Sequence, residues 1–235
     1  MEPTEQNRRA WDDVHRHRSA SLGGRLRIPA HVRERLPDLE GRHVLHLQCG
    51  TGEETAELAD RGALATGVDV SEQALALARE RRPEIAWVRA DVQALPLELR
   101  RGRFDLVYTG GGVLTWLHDL DGWAAGIHGA LRPEGFLLLY DEHPVLPCLD
   151  EFLHWRDDYF DDTPRRGAGR AHFRLEGEPA REQKVERFHR LGDVLTALAQ
   201  SGLVLRRVEE LPAVTSSRRQ SARVPGELVV VAARR

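Results

Sequence analysis

Residues Val44–Arg79 read VLHLQCGTGEETAELADRGALATGVDVSEQALALAR. A short apolar run enters a glycine turn, a polar stretch of helical character follows, and a second apolar run ends in Asp69. Ser71 then stands as an N-cap ahead of an ALALA run. Two strand–helix units in direct succession are the signature of a parallel sheet, whose strands need helical crossovers and, being covered on both faces, read as near-continuous Val and Leu runs.

The same alternation continues outward. Strands are expected at His43–Gln48, Leu64–Val70, Ile85–Arg89, Phe104–Thr109, Gly135–Asp141, Leu203–Glu209 and Glu227–Ala232. Helices are expected at Glu53–Arg61, Ser71–Arg82, Leu120–Arg132 and His189–Gln200, with two more, Thr4–Arg18 and Pro29–Leu36, before the first strand. The last two strands are joined by LPAVTSSRRQSARVPG, which has no helical pattern, so they should form an antiparallel hairpin at the sheet edge. The fold expected is α/β: a Rossmann-like, seven-stranded, mostly parallel sheet with a reversed terminal strand and helices on both faces. Residues 143–188 break the pattern with Pro144, Pro147, Pro164 and Pro179, paired aspartates and isolated aromatics, and read as an insertion forming a lid or extra hairpin.

A chain of 235 residues with 41% hydrophobic and 30% charged residues makes one large domain with a sizeable core. Lys184 is the one lysine among 34 basic residues, against 37 acidic ones, and the net charge of −3 argues against nucleic acid as a partner. No apolar run approaches the roughly 18 residues of a membrane span, and the first residues lack the apolar core of a secretion signal. A cytoplasmic protein is expected, without membrane contact; a homodimer stays open. Cys49 and Cys148 form no CxxC pair, which leaves neither a disulfide framework nor a cysteine metal site.

Cys49-Gly50-Thr51-Gly52 sits between a strand and a helix, where backbone N–H groups and a helix N-terminus can approach a ligand. A plain tight turn has the same spelling. Asp69, seventeen residues beyond Gly52, adds a carboxylate placed to accept from ribose hydroxyls. A dinucleotide would want a third glycine where Thr55 stands, and Glu53 and Glu54 are poor company for a pyrophosphate. They suit a sulfonium that carries an ammonium group.

The stretch from Val44 to Arg79 resembles the first two motifs of class I S-adenosylmethionine-dependent methyltransferases, and the likeness runs from about Leu39 to Arg235. It implies S-adenosylmethionine as cofactor, bound by Gln48, Cys49, Gly50, Gly52, Asp69 and Val70, with Asp91 and Val92 at the adenine and Thr109 at the end of the fourth strand. Residues 1–38 become a helical lid whose Trp11 closes over the cofactor, and residues 39–235 the methyltransferase domain, with the 143–188 insertion over the substrate end. The sequence departs from the family's opening in two places: His46 occupies the acid's position and Gln48 that of the first glycine. His46 reads most simply as a buried, hydrogen-bonded strand histidine.

Methyl transfer demands alignment and exclusion of water, with a base only when the acceptor must lose a proton. His143, following a strand end, is the base candidate, with a surface histidine at an X-Pro turn as its plain reading. Gly110, Gly111, Trp116, His118, Asp141, Glu142 and His189 are candidate substrate-side residues, and Trp155, Tyr159 and Phe160 of the insertion are expected to wall the acceptor pocket. Asp141, Glu142 and His143 together are too few for a metal site. Arg165, Arg166, Arg170 and Arg174 could meet an anionic substrate or form a solvated face. The function expected is methyl transfer to an O, N or C nucleophile of a small molecule. An NAD-dependent oxidoreductase and a non-catalytic S-adenosylmethionine-binding module are the alternatives.

Overall fold

The computed structural model describes residues 1–17, 28–150, 152–167, 182–213 and 221–235. Along the described chain come α1 (Pro3–His17), α2 (Ala30–Arg33), β1 (His43–Leu47), α3 (Glu53–Asp60), β2 (Leu64–Asp69), α4 (Glu72–Arg81), β3 (Ala86–Arg89), β4 (Phe104–Gly110), α5 (Leu120–Ala130), β5 (Leu131–Glu142), β6 (Arg165–Gly167), β7 (Lys184–Glu186), α6 (Leu191–Gln200), β8 (Leu203–Ala213) and β9 (Ser221–Arg234). Seven strands form one sheet in the order β3-β2-β1-β4-β5-β9-β8, parallel throughout except at β9, which is antiparallel to both neighbours. The reversed strand is therefore the penultimate one in space, and β8 forms the edge.

Alternation along the strands, interrupted at the bulges Phe104/Leu106 and Leu205/Arg207, explains why helices cover both faces. Leu45, Leu47, Val107, Leu137, Leu139 and Val230 point into a core shared with Trp123 and Ile127 of α5 and Val194 and Leu198 of α6. Their neighbours Val44, Leu106, Tyr108, Leu138 and Val229 point the other way, onto Val32 of α2 and Leu58 of α3. With both faces dry, the strands can be apolar at every position.

Local chemistry fixes the element ends. Ser71 accepts a hydrogen bond from the Ala74 amide and Asp119 one from the Gly122 amide, capping α4 and α5. α5 stops two residues before the expected Arg132, and β5 starts at Leu131 rather than Gly135, because the residue before Pro133 is driven out of the helical region. The hairpin strands β8 and β9 run well past their expected ends, since each extends the other's ladder from Leu203–Arg234 to Ala213–Ser221. Among the described residues no helix is long and apolar enough to cross a membrane.

Trp87 of β3 reaches sideways over β2 and needs room made by two glycines. A Cβ on Gly67 would lie 2.4 Å from its ring, and one on Gly52 also 2.4 Å. Gly52, at a φ of 83°, thus serves the packing of this indole, whose Nε1 donates to the Arg82 carbonyl at 2.9 Å. Gly67→Ala should lower stability by about 1–3 kcal/mol through overpacking. Urea denaturation checks this, and Trp87→Leu in the same chain should recover part of the loss; a neutral Gly67→Ala would show that the ring can move aside.

Candidate active site

The C-terminal ends of the parallel strands share one cavity of about 440 Å³. Asp91 lines it beyond β3, Asp69 and Val70 beyond β2, Gln48, Cys49 and Gly50 beyond β1, and Gly110 to Val113 beyond β4. Open α/β sheets bind ligands at this place, outside the carboxyl ends of strands where the chain order reverses.

Strand-end carboxylates shape the loops. Asp69 accepts from the Gly50 amide (2.8 Å) and the Ser71 amide (2.9 Å), tying the turn after β1 to the start of α4. Burial pushes its carboxyl up from the usual range, and those N–H groups oppose the rise. Asp141 holds the opposite wall: its two oxygens accept from the amides of Gly112, Val113, Leu114 and Glu142 at 2.7–2.9 Å. Burial still raises its pKa to about 6. Asp91 caps the turn Val92–Ala94 through the Gln93 amide.

The turn after β1 is left-handed at Gln48, Gly50 and Gly52. Gln48 adopts a φ of 55°, a conformation that L side chains pay for, and its amide spans the cavity mouth to donate to the Val113 carbonyl at 3.0 Å. A Cβ at Gly50 or Gly111 would meet nothing within 4 Å, so both glycines leave open space beside a ligand.

Beneath the turn lies a buried polar group. His46 on β1 shares a 2.7 Å hydrogen bond with Thr55, and burial lowers its pKa to about 3, so the ring is neutral. Tyr108 of β4 donates to Glu54 at 2.9 Å, and burial raises Glu54 to about 7. Glu53 is held below the usual range by Thr51, its own amide and Arg81, which together outweigh burial. The Cys49 thiol is pushed well up by burial and by Asp69 and stays protonated.

A cover closes the space from above. Asn7 of α1 exchanges two hydrogen bonds with the backbone of Val185 in β7, at 2.8 and 2.7 Å, as a strand neighbour would. Asp12 accepts from the Ser71 hydroxyl and the Gln73 amide, fixing the other end of α1 over α4. Between these anchors Trp11 meets Trp116 edge-on, with both rings lining the cavity. Lys184, buried in β7, sets its ammonium 4.5 Å from the Trp11 ring centre and 6.0 Å from that of Trp116.

Of the residues expected at the cofactor, Gln48, Cys49, Gly50, Asp69, Val70, Asp91, Val92 and Trp11 line the cavity, as does Trp116. Gly52 packs on Trp87, and Thr109 is buried beneath Gln48. His143 stands apart: its Nδ1 accepts from the Val145 amide and its Nε2 lies 2.8 Å from Glu210 of β8, so it is no base for this cavity. His118 is tied to the Val185 carbonyl. Glu142 and His189 line a separate space of about 40 Å³, and the His189 ring is also bonded to the Leu117 carbonyl.

The insertion's aromatics do not wall the cavity. Trp155 and Phe160 are 62% and 71% exposed, and Tyr159 accepts from the Leu191 amide at the start of α6. They sit in turns pinned to Cys148 and Asp150, with Asp157 and Asp161 paired to Arg165, a solvated arrangement. Arg166 bonds Gln6, while Arg170 and Arg174 lie outside the described residues. The cover is α1, whose Thr4, Asn7, Trp11, Val14 and His15 line the cavity and which β7 anchors through Asn7. Sequence reasoning missed Asn7, Gln93 and Lys184. Gln93 bonds Thr4 of α1 and accepts from the His118 and Asp119 amides, and its only sequence signal is its place two residues after Asp91.

Residues 44–135 match the model of the methyltransferase domain family. An uncharacterized methyltransferase of Synechocystis is 34% identical over 55% of this chain and 61% of its own length. A trans-aconitate 2-methyltransferase of Delftia acidovorans is 33% identical over 49% of this chain and 43% of its own. The chain thus spans about half the length of these relatives. The crystal structure of an S-adenosylmethionine-dependent methyltransferase from Mesorhizobium loti superposes with a TM-score of 0.70 at 28% identity, covering 87% of this chain and 96% of that one. Over these residues the chain is similar to the class I S-adenosylmethionine-dependent methyltransferases. The family's cofactor is S-adenosylmethionine.

Two outcomes follow from the cavity's floor and mouth. Gln48→Gly and Gln48→Ala both lose the bond to Val113, yet the glycine variant should be more stable by about 1 kcal/mol because only it accepts the left-handed φ without cost. Equal stabilities in thermal unfolding would mean the turn relaxes. Glu54 has a folded pKa near 7, above its unfolded value, so its contribution to stability is present at acid pH and lost as pH rises through 7. Between pH 7 and 5 the wild type should therefore gain about 2 kcal/mol relative to Glu54→Gln, measured by urea denaturation at both pH values. An unchanged difference would mean Glu54 remains ionised.

Proposed function

We propose that this protein transfers a methyl group from S-adenosylmethionine to a small-molecule acceptor. One observation carries the reading: four carboxylates, Glu53, Glu54, Asp69 and Asp91, line the cavity, and among the described residues no lysine or arginine does. A cationic ligand gains from that wall, whereas the pyrophosphate of a nicotinamide dinucleotide would be repelled by it. The open faces of Gly50 and Gly111 fit a ligand that lies close along both loops. S-adenosylmethionine supplies, when bound, an electrophilic methyl group on a sulfonium.

The chain's residues supply position and dryness. We assign ribose contact to Asp69, adenine contact to Asp91 and Val92, and the methionyl end to Gln48, Cys49 and Gly50. Trp11 and Trp116 exclude water, with α1, the first part of the expected 1–38 lid, as the cover and β7 as its anchor. The name of one relative, a trans-aconitate 2-methyltransferase, supports a small metabolite as acceptor.

Asp69→Ala should weaken S-adenosylhomocysteine binding about 5- to 150-fold, the size of one lost charge-assisted contact, about 1–3 kcal/mol. Isothermal calorimetry reads this, with circular dichroism confirming the fold. Unchanged affinity in a folded variant would remove Asp69 from the cofactor site.

A further inference from the structure

Resting on the methyltransferase reading above, we propose that Glu54 is the general base of this site, and that the acceptor carries the proton it must lose, as a hydroxyl or an ammonium, rather than being a free carboxylate. The argument starts from the order of the strands. Asp91, Asp69 and the Gln48–Gly50 turn occupy the cavity's wall at β3, β2 and β1. What remains for the acceptor is the part next to β4, walled by Gly110 to Val113 and Trp116. Glu54 lines the same cavity, and its Oε2 is held from below by the hydroxyl of Tyr108, buried on β4.

The other lining carboxylates are engaged. Asp69 serves two main-chain amides, Asp91 the Gln93 amide and side chain, and Glu53 both Thr51 and Arg81. Glu54 accepts one hydrogen bond, at Oε2, and its Oε1 accepts none among the described residues. The groups that face it are His46 from β1, Tyr108 from β4, Tyr140 from β5, and Glu53 and Glu57 from its own helix, so among the described residues no cation neutralises it. His46 is neutral and bonded to Thr55, which makes it a poor proton acceptor. Burial among like charges keeps Glu54's affinity for a proton near neutrality, the range in which a base works at physiological pH.

The same charges select the acceptor. A carboxylate entering beside Glu54 would meet Glu53 and Asp69 with no arginine or lysine in the lining, and the Lys184 ammonium is taken up by the two indoles. A neutral hydroxyl or an ammonium meets no such cost. For a hydroxyl the step balances as follows: the O–H proton passes to a Glu54 oxygen, the oxygen forms the new O–CH3 bond, and the C–S pair stays with sulfur as the neutral thioether. An ammonium gives its proton to the same oxygen before its nitrogen attacks. Glu54 then returns the proton to solvent.

The test combines calorimetry with kinetics on the full chain. S-adenosylhomocysteine should bind wild type and Glu54→Gln within threefold of one another; failure of the wild type to bind would overturn the methyltransferase reading itself. With catechol and phenethylamine as probes, against succinate and trans-aconitate, mass spectrometry should find methylated product from the first two only. Glu54→Gln should lower kcat about 100-fold with KM within threefold, and abolish the acid limb of the wild-type pH–rate profile. Preferential methylation of the carboxylate probes, no product from either protic probe, or an unchanged kcat and pH profile in Glu54→Gln would overturn the proposal. So would transfer of the whole effect to His15→Gln, a titratable side chain that α1 contributes to the cavity from above.

Discussion

Main-chain N–H groups just past the ends of parallel strands must find partners without filling the space above the sheet, and buried carboxylates meet that demand here. Asp69 takes the amides of Gly50 and Ser71, and Asp141 takes four more between Gly112 and Glu142. Each is itself the last or nearly last residue of a strand, so the sheet directly sets where the loops stand. The cavity is the gap between these two anchored loops. Its charge follows from the same device, because carboxylates that fix loops also make the walls acidic.

Packing beneath and above the loops serves the same end. Trp87 fills the space left by Gly52 and Gly67, so the second glycine of the turn is a steric necessity of β3. Above, α1 is held by Asn7 to β7 and by Asp12 to α4, bringing Trp11 down onto Trp116. Apolar side chains alternate between two buried layers along β1, β5 and β4 beyond its bulge at Phe104/Leu106, which leaves the strand ends as the rigid frame for chemistry.

Legibility in the sequence tracked the range of the interactions. The turn from Gln48 to Gly52, the carboxylates Asp69 and Asp91, and the capping serine Ser71 all act within a few residues of a strand end, and their spelling reveals them. The hairpin β8–β9 was readable because its connection lacks a helical pattern, though not its length, which pairing across the hairpin determines. The cover was not readable. Asn7 and Val185 are 178 residues apart, and nothing near either predicts the pair. For the same reason the conspicuous aromatics Trp155 and Phe160 misled, while Lys184, conspicuous only as the single lysine, is buried against the indoles. His143 was chosen for its place after β5, but the hairpin strand β8 presents Glu210 to it and turns it away from the cavity.

The account stands on an acidic cavity that prefers a sulfonium nucleoside to an anionic dinucleotide. Calorimetric titration of the unmodified protein with S-adenosylmethionine and, separately, with NAD tests this most directly. The account predicts one saturable site for S-adenosylmethionine and no measurable heat with NAD. Tighter binding of NAD, or binding of neither, would contradict it.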